Sequence, residues 1–168
     1  MTRVAPPPPP RRRGSSPQVS ASDLAGRVVG LYFSASWCGP CKHFTPQLIR
    51  TYCQVKLAEG KPWEVVLVSS DRTAADFDKY ADSMPWPAAH YHQERLAGLA
   101  QRLGVSSLPS LVLVDASGKV LTVEGRDRIT DDPLGLRFPW SQQALDAPAL
   151  DAPAADQAQA AEQPHTAA

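Results

Sequence analysis

The stretch Trp37-Cys38-Gly39-Pro40-Cys41-Lys42 decides how the rest of the chain is read. It follows a short apolar run, Val28-Val29-Gly30-Leu31-Tyr32-Phe33, and opens a segment in which Phe44, Leu48, Tyr52 and Val55 recur at helical spacing. Two cysteines three residues apart at the start of a helix can close a small disulfide ring. The first stands where unpaired backbone N–H groups and the positive end of the helix dipole favour a thiolate. Cys38 is the expected nucleophile, and Cys41, one turn inside the helix and more buried, the expected resolving thiol.

Lowering a thiol pKa from about 8.5 to about 7 raises the thiolate fraction at pH 7 roughly 15-fold. Intrinsic nucleophilicity falls about 6-fold at the same time, so attack gains only about 3-fold. Faster attack is therefore a small part of the benefit. A stabilised thiolate is also a better leaving group when Cys41 attacks the mixed disulfide, which releases the reduced partner and sets the redox poise.

Moving outward, Val65-Val66-Leu67-Val68 and Leu111-Val112-Leu113-Val114 are further runs of branched residues that read as strands buried on both faces. Phe77, Tyr80, Ala81 and Met84 mark a second helix capped by Thr73 and Asp76, and Leu96, Leu99, Ala100 and Leu103 mark a third that stops at Gly104. Ala116-Ser117-Gly118-Lys119 turns the chain into a last strand at Val120 to Val123. Helices and strands alternate, which predicts a three-layer α/β sandwich with a central mixed sheet flanked by helices.

All twelve aromatic residues lie between Tyr32 and Trp140, whereas nine of the seventeen prolines lie outside residues 23–140. The folded domain is therefore expected over residues 23–140, 118 residues with 13 basic and 13 acidic groups. Residues 1–22, with five consecutive prolines and then Arg11, Arg12 and Arg13, read as a disordered extended arm. Residues 141–168, rich in alanine and proline with Asp146, Asp151, Asp156 and Glu162 and no Lys or Arg, read as a disordered acidic tail.

Across 168 residues the 17 basic and 17 acidic side chains cancel, which argues against a general nucleic-acid or anionic-membrane binder. No run approaches the roughly 18 apolar residues of a membrane span. Three cysteines suit neither a disulfide-stapled scaffold nor, with no second Cys pair, a structural zinc site. His43, His90 and His92 read as surface or packing residues. Cys53, between Ile49 and Leu57, reads as a buried core thiol. A cytoplasmic address is expected, with a nuclear role for Arg11 to Arg13 or an organelle address as alternatives.

Ser107-Leu108-Pro109-Ser110 precedes the strand at Leu111, and a proline there fits a first strand position. With the Cys-x-x-Cys motif it makes the chain resemble the thioredoxin superfamily. The resemblance implies a cis-proline at Pro109 beside the cysteines and a backbone at Leu108 that pairs with substrate, and Pro46 fits the kinked active-site helix of that superfamily. Tyr32-Phe33-Ser34-Ala35-Ser36-Trp37-Cys38, Phe44-Thr45-Pro46-Gln47-Leu48, Met84-Pro85-Trp86, and Asp132-Pro133 with Phe138-Pro139-Trp140 are similar to the tryparedoxin and nucleoredoxin branch. That likeness covers most of residues 23–140.

The resemblance implies a thiol-disulfide oxidoreductase that reduces protein disulfides with no metal or organic cofactor, since the dithiol itself holds the electrons. Gly39 and Pro40 would support the cysteines, Trp37 would flank the site and touch partners, and Trp86 and Trp140 would pack or anchor loops. Arg126 matches an arginine near the substrate face of this branch, and an ordinary surface arginine is the other reading. Two departures stand out: Gly39 replaces the proline usual in this branch, and Tyr32 stands where ordinary thioredoxins keep a buried aspartate, leaving the general base for Cys41 unassigned. The expected reductant is a thiol or a flavoprotein, and the expected state a monomer. The alternative function is a redox-responsive adaptor of nucleoredoxin type, for which Pro7, Pro10 and Arg12 would serve as a proline-recognition ligand.

Overall fold

The computed structural model describes residues 19–143. The expected arm and tail lie outside the described residues except for 19–22 and 141–143 at their inner ends, where a single 3-10 turn, Ala21–Leu24, leads into the first strand.

Four strands form as the branched runs require: β1 at Val28–Ser34, β2 at Trp63–Ser69, β3 at Ser110–Val114 and β4 at Val120–Thr122. They make one mixed sheet in the order β2-β1-β3-β4. β1 runs parallel to β2 and antiparallel to β3, and β3 runs antiparallel to β4. A parallel pair needs a crossover, and α1, Gly39–Tyr52, supplies it.

The side-chain alternation of the strands separates two cores. Tyr32, Val65, Leu67, Leu111 and Leu113 pack on one face with residues of α1, of α2 (Ala74–Ala81) and of α4 (Gly125–Asp131). Leu31, Phe33, Val68 and Val112 pack on the other against Leu96, Leu99, Ala100 and Leu103 from α3, Gln93–Arg102, and its end. This is the three-layer α/β sandwich with a central mixed sheet expected from the alternation of elements. Thr73 caps α2 by accepting from the Asp76 N–H at 3.1 Å, and Gly104 ends the third helix with φ of 69°.

The separated aromatic motifs meet in the first core. Tyr32 is edge-on to Trp86 at 6.0 Å, Trp86 to Tyr52 at 5.4 Å, Tyr52 to Trp63 at 5.7 Å, and Trp63 to Trp140 at 5.7 Å. Each such pair adds about 0.5–1.5 kcal/mol beyond its buried area. Trp86 and Trp140 are thus packing residues. Trp140 also donates its Nε1–H to Asp132 at 2.9 Å, and the Asp132 carboxylate takes the N–H groups of Leu136 and Arg137, which closes the loop around Phe138-Pro139.

Two local expectations need correction. Cys53 is only partly buried, and Leu57 on its far side is 48% exposed. Beyond Tyr52 the helix widens into a π turn, Cys53–Ala58, which rotates the following side chains off the stripe that α-helical spacing would give. The second helix ends at Ala81, three residues before Met84, although Met84 still reaches the core.

Candidate active site

The site lies where β1 and β2 end side by side and β3, on the other side of β1, begins. Ser34 is level with Ser69, and Phe33 with Ser110, so the turn after β1, the turn after β2 and Pro109 converge at one end of the sheet. Loops at the carboxyl ends of parallel strands are a common location for ligands.

Cys38 is the N-cap of α1, in extended conformation at φ −84° and ψ 109°, with Gly39 and Pro40 forming the first helical positions. Its sulfur accepts the Cys41 N–H at 3.3 Å and so occupies the place an oxygen holds in an ordinary cap. Cys38 and Cys41 form a disulfide. Once that bond is reduced, the same N–H and the helix dipole favour negative charge on Cys38 over Cys41. Access is unequal too: Cys38 is 6% exposed and Cys41 fully buried, among Ala35 and Leu108.

The Leu108-Pro109 peptide is cis, as the resemblance implied, and Leu108 packs against the disulfide. Trp37 is 56% exposed at the rim, its Nε1–H donating to the Ser70 carbonyl at 3.4 Å. Pro46 lies inside α1, where it cannot donate to the Lys42 carbonyl. Tyr32 is fully buried, and burial pushes its hydroxyl up to about 12. That hydroxyl lies 2.8 Å from Thr45 Oγ1, which in turn donates to the Cys41 carbonyl at 2.8 Å. Tyr32 therefore braces the backbone of the active-site turn.

Arg126, at the start of α4, is exposed and lines an open cleft of about 600 Å³ with Gly39, Pro40, His43, Gln47 and Thr130. His43 is on the helix surface, as its sequence position suggests, yet it faces this cleft. His90 and His92 are exposed and lie on the loop before α3, in a cleft of their own. Among the described residues no three His, Cys, Asp or Glu side chains gather as a metal site, and no helix is long and apolar enough to cross a membrane.

Sequence reasoning missed Asp71. It is 1% exposed and is held by Ser36 in the loop after β1 and by Ser69 at the end of β2. Its signal was available: in Ser69-Ser70-Asp71 polar side chains close an apolar, branched run and have to be satisfied by something nearby.

The thioredoxin-like family model matches residues 26–120. The tryparedoxin of Trypanosoma brucei brucei is 42% identical over 127 residues, covering 74% of this chain and 87% of that protein. The nucleoredoxin of Xenopus laevis is 39% identical over 127 residues, 75% of this chain but only 30% of that longer protein. Among solved structures, tryparedoxin II complexed with glutathionylspermidine is similar at a TM-score of 0.68 and 42% identity, with 73% of this chain and 85% of that one covered. With the disulfide at the cap of α1 and Leu108, before the cis Pro109, packed against it, these likenesses place the chain in the thioredoxin-like family, on its tryparedoxin and nucleoredoxin branch, as a dithiol oxidoreductase.

Proposed function

We propose that the reduced protein reduces disulfides of protein partners through Cys38 as nucleophile and Cys41 as resolving thiol. The observation that carries the assignment is the asymmetry of the two sulfurs. Cys38 receives the Cys41 N–H at the helix cap and meets the surface beside Trp37, while Cys41 is sealed beneath it. The Cys38 thiolate attacks one sulfur of the substrate disulfide, and that S–S bond breaks to release a thiolate that takes up a proton. Cys41 then loses its proton and attacks Cys38. The mixed disulfide breaks, the second substrate thiol departs, and the Cys38–Cys41 bond holds the oxidation equivalent.

Leu108 and Pro109 support substrate backbone next to the sulfurs, Trp37 offers an apolar wall, and Arg126 contacts the substrate from the α4 side. The complex of a relative with glutathionylspermidine supports a low-molecular-weight thiol as reductant. The dithiol carries both electrons, so the proposed cycle uses no metal or organic cofactor.

The test is multiple-turnover reduction of a small disulfide-bonded protein by dithiothreitol, with Cys38→Ser and Cys41→Ser beside the intact chain. Acceleration by the intact chain, none by Cys38→Ser, and accumulation of a mixed disulfide by Cys41→Ser are expected. Equal acceleration by Cys38→Ser would remove the assignment.

A further inference from the structure

Two cations bracket the dithiol, and the sequence motifs account for only one of them. On one side, the Arg72 guanidinium lies 5.9 Å from the centroid of the exposed Trp37 ring. Its main chain is fixed, since Gln93 Nε2 donates to the Arg72 carbonyl at 3.1 Å, and Arg72, Trp37, Ser36 and Asp76 line one open cleft. A guanidinium lying over an indole face keeps its charge while losing part of its freedom. On the other side, Arg126 shares its cleft with Gly39, Pro40 and His43.

Neither arginine forms an ion pair among the described residues. The carboxylates nearest in the chain hydrogen-bond or pair with other groups, and Asp76, which shares the Arg72 cleft and keeps its charge, makes no ion pair with Arg72. Asp71 is taken by Ser36 and Ser69, Asp76 accepts from Thr73 Oγ1 at 2.7 Å, and Glu124 pairs with Arg128 at 2.6 Å. Asp127, exposed, follows Arg126 on α4 and projects about 100° further round the helix. Charge on both flanks of the sulfurs is thus left for a partner.

We infer that Arg72 on Trp37 and Arg126 across the dithiol form a cationic rim that selects disulfides bearing carboxylates near the sulfur and disfavours polycationic ones. Arg72 is the added specificity-determining residue. The inference rests on the dithiol reading above and names the substrate class for that same site. Opposite charge raises encounter rates and steadies the carboxylate-bearing thiolate as it leaves, while like charge opposes both. Electrons and protons balance as in the parent reaction: the reduced pair gives up two electrons and two protons, and the disulfide becomes two thiols.

The experiment follows oxidation of the reduced, full-length protein by three small disulfides that differ in charge: dithiodipropionate with two carboxylates, hydroxyethyl disulfide with none, and cystamine with two ammonium groups. Second-order rate constants are normalised to the neutral disulfide for the wild type, Arg72→Gln, Arg126→Gln and the double variant, at low and high salt. The ratio of the dianion rate to the dication rate is expected to fall about 3-fold in each single variant and about 10-fold in the double variant. In the wild type it should shrink as salt is added. Ratios that ignore both substitutions and salt overturn the rim and leave the dithiol reading intact. Failure of the neutral disulfide to oxidise the wild type overturns the dithiol reading itself, and the rim with it.

Discussion

One oxygen of the Asp71 carboxylate accepts both the N–H of Ser36 at 2.9 Å and the Ser36 hydroxyl at 2.7 Å. The other takes the Ser69 hydroxyl at 2.7 Å, and the Asp71 carbonyl accepts from Tyr91 at 3.0 Å. A buried side chain on the β2 loop therefore holds the β1 loop just ahead of Trp37 and Cys38. Asp71→Ala would leave a half-buried N–H and two hydroxyls without this acceptor, at a cost of about 1–3 kcal/mol. Chemical denaturation should show that loss, and disulfide turnover should fall with it. Asp71→Asn, which keeps the shape and one acceptor oxygen, should recover part of both. An Asp71→Ala protein as stable as the wild type would show that the Ser36 contact does not hold the loop.

Tyr32 gives a pH prediction with a definite sign. Its hydroxyl ionises near 10 in the unfolded chain and near 12 in the folded one, because burial disfavours the phenolate. Below pH 10 both states are protonated and stability is unaffected. Between pH 10 and 12 the unfolded state binds fewer protons, so stability falls as pH rises, by up to roughly 2–3 kcal/mol at the upper end. Tyr32→Phe should remove that component from denaturation measured across this range. Near neutrality it should cost about 1 kcal/mol through the lost contact with Thr45 and leave the pH–rate profile of turnover in place. A lost or shifted limb in that profile would identify Tyr32 as the base that its buried hydroxyl argues against.

Gly39→Pro should fold and stabilise. Gly39 is the first residue of α1, a Cβ there meets nothing within 4 Å, and Cys38 before it is already extended as a proline requires of its predecessor. The restricted unfolded chain should contribute about 0.4–1 kcal/mol, readable by denaturant unfolding of the oxidised protein. Destabilisation instead would mean that the Gly39 N–H is used.

Gly125→Ala should do the opposite. A Cβ at Gly125 would come within 2.6 Å of the Leu111 carbonyl and 2.7 Å of Leu113 Cδ1, because α4 packs directly on β3 at this point. Overpacking of this kind costs about 1–3 kcal/mol. Since the next residue is Arg126, the displacement should also alter turnover. Unfolding midpoints and rates measured on one preparation test both effects.

Much of this was legible in the chain. Branched runs and helical spacing gave the strands and helices because those patterns report burial directly, and Cys38, Cys41 and Pro109 belong to motifs short enough to read by eye. The π turn at Cys53 escaped notice because apolar spacing assumes an unchanging helical pitch. Asp71 and Arg72 escaped because their roles arise from partners 35 residues away, at Ser36 and Trp37, and no local pattern encodes that distance. Gly125 carries the same lesson in reverse: a glycine ahead of an arginine looks like a loop residue until the strand beneath it is in place.

The outer edges of the sheet bear on how this protein behaves in a crowded solution. β4 contributes only three residues, with an irregular register against β3 at Leu113 and Val114. At the far side, Leu67 of β2 already exchanges hydrogen bonds with the segment 87–89, donating to the Pro87 carbonyl and accepting the Ala89 N–H, each at 2.9 Å. A foreign strand would find one border too short to template it and the other partly occupied. Self-association through backbone ladders, the first step toward fibrils, is thereby discouraged in a domain that carries its redox-active dithiol at one end of this same sheet.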